Sequence, residues 1–139
     1  MLEINWVHDG RQPIIPVSIL APAPATDLTA VEAAALVDTG STVSGITSEI
    51  ATQLGLTGIG KRPLVSARSE DQAERLVFRV GLKGSKSGDA PAYPYIFEET
   101  IGFELKNGFR FDALIGMDIL RQCDFSIKRD GSFRLAFGY

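Results

Sequence analysis

The segment Ala35-Leu36-Val37-Asp38-Thr39-Gly40-Ser41 runs an apolar, strand-like stretch straight into an aspartate. An ionised carboxylate at the edge of a core loses hydration unless something uses its charge. Gly40 lets the backbone approach another group closely, and Thr39 offers a short hydroxyl that can bond across a tight junction. The chemistry open to such a carboxylate is general acid–base work: taking a proton from water or giving one to a carbonyl oxygen. By the chain's own counts of Asp, Thr and Gly, a chance Asp-Thr-Gly arises in roughly one such chain in twenty, so the tripeptide alone is a weak match. An ordinary turn aspartate closing a strand stays open at this point.

A second segment raises the match. Ala113-Leu114-Ile115-Gly116 echoes Ala35-Leu36-Val37-Asp38, and both lead through a sharp turn toward a helix. A duplicated strand-turn-helix unit in a short chain implies two pseudo-symmetric halves. The elements that must position these motifs are mostly strands. Ile14–Leu20, Ala33–Val37, and Pro63–Ala67 paired with Leu76–Leu82 have β-type composition. Asn107-Gly108 and Asp130-Gly131 each join two alternating apolar runs, which predicts two hairpins: Ile101/Phe103/Leu105 with Phe109/Phe111, and Phe125/Ile127 with Phe133/Leu135/Phe137. Asp9-Gly10 is a third turn of this type. Two short helices are expected. Thr47–Leu54 has Thr47 and Ser48 as caps, Glu49 in its first turn and Gly55 as its stop, and Asp118–Gln122 has Asp118 as N-cap. The Ala/Pro-rich stretch Ala21–Ala30 and the Gly/Ser-rich stretch Gly84–Pro94 read as surface insertions.

With both motifs placed, the chain resembles the retroviral-type, retropepsin-like aspartic proteases. Asp38-Thr39-Gly40-Ser41 matches their catalytic signature, and Ala113-Leu114-Ile115-Gly116 matches the apolar-apolar-Gly element that crosses beneath it. The resemblance spans roughly 14–137. It implies an all-β fold: a small closed acid-protease barrel with ψ-type strand-turn-helix repeats, a flap hairpin over about 63–82, and one or two short helices. On this reading residues 1–139 are one domain, Asp38 is catalytic, Thr39, Gly40 and Ser41 support its turn, and Ala67, Arg68, Ser69, Glu70 and Asp71 belong to the flap over the substrate. Viral members carry an Arg-Asn pair after the second glycine, whereas this chain has Met117-Asp118, a pattern more similar to cellular and bacterial members. The flap tip, Ala67 to Gln72, is charged and lacks glycine.

The resemblance also implies an assembly. Peptide hydrolysis by this chemistry needs two carboxylates that share a proton, and the chain has one Asp-Thr-Gly. The second Asp38 is therefore expected from an identical chain about a two-fold axis, with an extended peptide as substrate and neither metal nor cofactor. Thr39 is expected to bond across that axis. Ser41 is expected to donate a hydrogen bond to the carboxylate pair and depress its titration, with a bond to turn backbone as the other reading. Apolar residues near Val65, Ala67, Leu76 and Ile115 lean toward apolar side chains beside the scissile bond. Two other readings stay open: a catalytically silent dimerisation or peptide-binding module, and a small β-barrel ligand binder.

Composition narrows the field. With 139 residues, 45% hydrophobic and 22% charged, the chain can bury one core and is too apolar to be disordered. Seventeen acidic against fourteen basic residues, with the basic ones scattered, leave no footprint for nucleic acid. One cysteine and one histidine exclude an intramolecular disulfide framework and a Cys/His zinc site. The uncharged run Gln12–Thr26 is short and holds four prolines, so no membrane span is expected. The opening residues lack the pattern of a signal peptide, which with the reduced cysteine count leads to a cytoplasmic expectation. Asp112 reads as a solvated strand-end charge, Cys123 as a small buried hydrophobe, His8 as a surface residue, and Tyr93, Tyr95 and Phe97 as a loop-to-strand anchor or a recognition edge.

Overall fold

The computed structural model describes residues 2–7, 12–65, 70–84, 94–106 and 110–138. Strands dominate them. In chain order they are β1 (Leu2–Val7), β2 (Ile14–Leu20), β3 (Ala30–Val37), β4 (Gly45–Thr47), helix α1 (Ser48–Gln53), β5 (Lys61–Val65), β6 (Glu70–Lys83), β7 (Pro94–Ile96), β8 (Thr100–Leu105), β9 (Ala113–Ile115), helix α2 (Met117–Leu120), β10 (Asp124–Ile127) and β11 (Ser132–Phe137).

The larger sheet runs β2-β3-β9-β4-β8-β6-β5, with β7 also on β6, and β6 pairs with β2 as well. The period-2 pattern explains which faces meet. In β3, Ala33, Ala35 and Val37 are buried while Glu32 and Ala34 are exposed. In β6, Leu76, Phe78, Val80 and Leu82 are all nearly inaccessible and join Ile15, Val17 and Ile19 of β2 in the main core. A smaller sheet, β1-β11-β10, closes over that core through Phe133, Leu135 and Phe137.

The Asp130-Gly131 hairpin is as expected, with Phe125 opposite Leu135 and Ile127 opposite Phe133. Gly131 has φ +89°, the region its turn needs. Two other expected pairings are corrected. Pro63–Val65, the described part of the expected Pro63–Ala67 strand, does not pair with Leu76–Leu82; β5 pairs with the first part of β6, from Lys61↔Glu74 to Val65↔Glu70. The apolar part of β6 is taken by β8 and β2 instead, where its buried face has more core to cover. Nor does Phe111 return along β8. Leu105 ends that strand, Phe111 is buried outside any strand, and the next strand, β9, inserts between β3 and β4. The Asn107-Gly108 turn, with Phe109, lies outside the described residues, as do the Asp9-Gly10 turn, His8 and Tyr93.

Helix α1 begins after Thr47, whose extended backbone makes it the cap residue although its hydroxyl makes no capping bond, and it stops at Gly55 with φ +67°. Residues 23–29 are exposed, as a surface insertion should be. They are nonetheless held. Arg79 is 6% exposed and donates to the carbonyls of Ala21 at 2.7 Å, Ala25 at 3.2 Å, Pro24 at 3.4 Å and Asp27 at 2.7 Å. A buried guanidinium needs its donors satisfied, and four loop carbonyls do that. Of the Gly84–Pro94 stretch, 85–93 lie outside the described residues. Tyr95 and Phe97 pack edge to face with ring centroids 5.0 Å apart, and both lie near Phe137, which fits the anchor reading.

Candidate functional site

The two echoed segments meet in space. Strands β3 and β9 are parallel with Ala35↔Ala113, Leu36↔Leu114 and Val37↔Ile115, the alignment their sequences show. The ladder continues one step further, since the Asp38 amide donates to the Ile115 carbonyl at 2.9 Å. The repeat is not an exact one: strand β4 intervenes between the Asp38 turn and α1, whereas α2 follows β9 directly. Strand β4 lies antiparallel on the other side of β9, through Gly45↔Leu114 and Ile46↔Ala113. Residues 38–44 must therefore bridge over the end of β9 to connect its two neighbours.

That crossing explains Gly116. A Cβ there would lie 2.6 Å from the Val43 carbonyl oxygen and 2.8 Å from that of Ser41, so only glycine lets the bridge pass. The amides that follow hold the bridge down: Met117 N–H donates to Ser41 O at 2.8 Å and Asp118 N–H to Thr42 O at 3.1 Å. Asp118 sits in the first turn of α2, with Gly116 as the cap residue, so the expected N-cap role is corrected. Its carboxylate has a larger task. It accepts from the Ser44 amide (3.0 Å), the Ser44 hydroxyl (2.6 Å), the Thr100 hydroxyl (2.6 Å) and the Ile119 amide (2.9 Å). Ser44 is fully buried, and its Oγ also accepts from the Gly116 amide at 3.0 Å. The available signal was a serine within the otherwise apolar run Val43-Ser44-Gly45-Ile46, which has to find a partner when buried.

Asp38 itself is half-buried, while Thr39 and Gly40 are exposed. Its Oδ1 accepts the Gly40 amide at 2.8 Å, and its carbonyl accepts the Ser41 amide at 3.2 Å. A Cβ on Gly40 would come within 3.2 Å of Oδ1, so the glycine keeps that oxygen uncrowded. Oδ2 has no hydrogen-bond partner among the described residues. The Ser41 hydroxyl donates to the Val43 carbonyl at 2.7 Å, so within the chain it follows the backbone reading and not the carboxylate one. The arrangement presents one carboxylate, one oxygen restrained by a backbone N–H and the other open, beside a surface that includes Thr39, Gly40 and the 39%-exposed Met117. Such an oxygen can accept a proton from water; alone it supplies a base and no partner acid.

The other sequence-marked residues fall into place around this turn or away from it. Ala113, Leu114 and Ile115 are buried as the β9 strand. Ala67, Arg68 and Ser69 lie outside the described residues, and Glu70 and Asp71 open strand β6 directly after them, opposite Val65 and Leu64. Asp112 is exposed, with its carboxylate only 3.4 Å from the Ala34 amide. Cys123 lies just past the end of α2, with its thiol pushed up to about 11 by burial and then by Asp124, which fits an inert thiol. Among the described residues no group of three His, Cys, Asp or Glu side chains is placed to hold a metal ion, and no helix is long and apolar enough to cross a membrane.

Neither a family model nor a curated protein sequence matches the chain. Its fold does match a solved structure, that of a retropepsin-like aspartic protease from Rickettsia conorii, with a TM-score of 0.64 and 20% sequence identity over 97% of this chain and 90% of that one. At that identity the likeness shows the fold.

Proposed function

We propose that the chain is an aspartic endopeptidase, active as a two-fold homodimer in which the Asp38 carboxylates of two copies meet. The observation that carries this is the open oxygen of Asp38, held at the end of β3 by the crossing over Gly116, in a fold shared with an aspartic protease. One carboxylate of the pair takes a proton from water while the other protonates the peptide carbonyl, so water attacks directly and no acyl-enzyme forms. Thr39, exposed beside the carboxylate, is the hydroxyl that bonds across the axis. The pairings from β2 round to β6 and back to β2 are read as the closed acid-protease barrel, and β5 with the start of β6 as a flap over an extended peptide. Residues 1–139 act as one domain, without metal or cofactor.

Incubation with an unbiased peptide mixture, with and without a transition-state-mimicking aspartic-protease inhibitor, tests the activity. Asp38→Asn keeps the shape and removes the base, so cleavage should vanish while the fold persists. Thr39→Ala should weaken dimerisation and cleavage together. Full cleavage by Asp38→Asn, or an active monomer in sedimentation, would refute the proposal.

A further inference from the structure

A cavity of about 130 Å³ opens between β5, β6, β8 and the loop that carries Asp38. Val43, Ala73, Ile101 and Phe103 give it an apolar floor, and Arg62 and Arg75 stand in its wall. The registers Arg62↔Ala73 and Arg75↔Phe103 put these four residues on one face of the three strands, because opposed residues and alternate residues share a face. By the same alternation Glu74 and Glu104 belong to the other face, and Glu74 is occupied there with the Gly60 amide at 2.9 Å. The cavity face thus carries two cations, with Asp71 as the one acidic position of these strands that the register Leu64↔Asp71 puts on the same face.

The two arginines differ in a useful way. Arg75 is half-buried and tethered, its Nη2 donating to the Ile59 carbonyl at 3.3 Å. Arg62 is exposed and forms no ion pair or hydrogen bond among the described residues. One guanidinium is held in place, and the other is free to close on an anion. Val43 lies on the 38–44 bridge, so a chain extended past Asp38 reaches the cavity within a few residues.

We infer that this cavity is a specificity subsite for an acidic side chain of the peptide, with glutamate as its occupant: the apolar floor takes the methylenes and the arginines take the carboxylate. Two guanidiniums against a single acidic position on their face leave a net positive charge, which would disfavour a lysine or arginine there and gain from an anion. This inference rests on the endopeptidase reading above and adds the substrate feature that reading lacks.

The test uses matched extended peptides that differ only by Glu against Gln, moved one position at a time. Wild-type protein is assayed for cleavage. Asp38→Asn protein is assayed for binding by amide shifts at Ala73, Gly102 and Phe103, which need no turnover. One position should favour Glu by about fivefold, as expected of ion pairs still partly in water, and the preference should shrink with salt. Arg62→Gln should remove most of it, and Arg75→Lys, which keeps the charge but loses the tether, should weaken it less. Cleavage with no Glu preference at any position would overturn the subsite and leave the endopeptidase standing. Glu-selective shifts at those amides without any cleavage would keep the site and remove the endopeptidase. Neither cleavage nor shifts would remove both, and a preference unchanged in Arg62→Gln would overturn the assignment of that residue.

Discussion

Replacing Asp118 by alanine should destabilise the protein strongly although this carboxylate takes no part in the proposed chemistry. Four donors converge on it: the Ser44 amide and hydroxyl, the Thr100 hydroxyl and the Ile119 amide. They do not suffer equally from its loss. Thr100 is half-buried and can turn to water, and the Ile119 amide is one of the first-turn donors that helices often leave to solvent. Ser44 is fully buried, so its amide and hydroxyl would be left without an acceptor, at about 1–3 kcal/mol each. The expected loss is about 3 kcal/mol, which for a domain of this size lowers Tm by roughly 10 °C. Asp118→Asn keeps one acceptor oxygen, and the hydroxyls can rotate to suit the amide, so about half that effect is expected. Calorimetry of both variants measures this, and a double-mutant cycle with Thr100→Val reads the shared part. An Asp118→Ala protein that melts within about 2 °C of the parent would refute the reasoning, because the buried Ser44 donors would then have found another acceptor.

Three further outcomes follow from the same geometry. Ser41→Ala should lose the bond to the Val43 carbonyl, about 1 kcal/mol, and leave the pH profile of kcat/KM unmoved; a shifted profile would mean the hydroxyl reaches the carboxylate pair in the assembled enzyme. Cys123, with a thiol near 11, should alkylate about 100-fold more slowly than a free thiol at mildly alkaline pH, and reaction at the free rate in native buffer would contradict its burial. Glu3, Asp27 and Asp130 are held below the usual carboxylate range, first by the Arg134 side chain, the Thr29 amide and the Ser132 hydroxyl respectively. A lowered folded value means the unfolded chain binds protons first, so stability from these groups is complete above the ordinary range and is lost as pH falls through the folded values. Tm should be flat between about pH 5 and pH 8 and fall in acid, less so in Glu3→Gln; a Tm that rises on acidification from pH 5 would oppose this.

The sequence by itself determined the features whose causes are local. Asp130-Gly131 set a hairpin because the turn geometry depends on the two residues in it, and Gly55 stopped α1 because it supplies a positive φ. The apolar echo of Ala35-Leu36-Val37 and Ala113-Leu114-Ile115 was also readable, and it proved to be a direct strand pairing. Only the tertiary structure decided the rest. The partner of each half of β6, the insertion of β9 between β3 and β4, and the loss of the expected Phe111 hairpin depend on how much apolar area each strand can cover, which no short window contains. The hidden polar pairings have the same origin. Ser44 meets Asp118 across 74 positions and Arg79 reaches the Ala21 carbonyl across 58, because burial removes water from these groups and leaves them only the partners that the folded chain brings near.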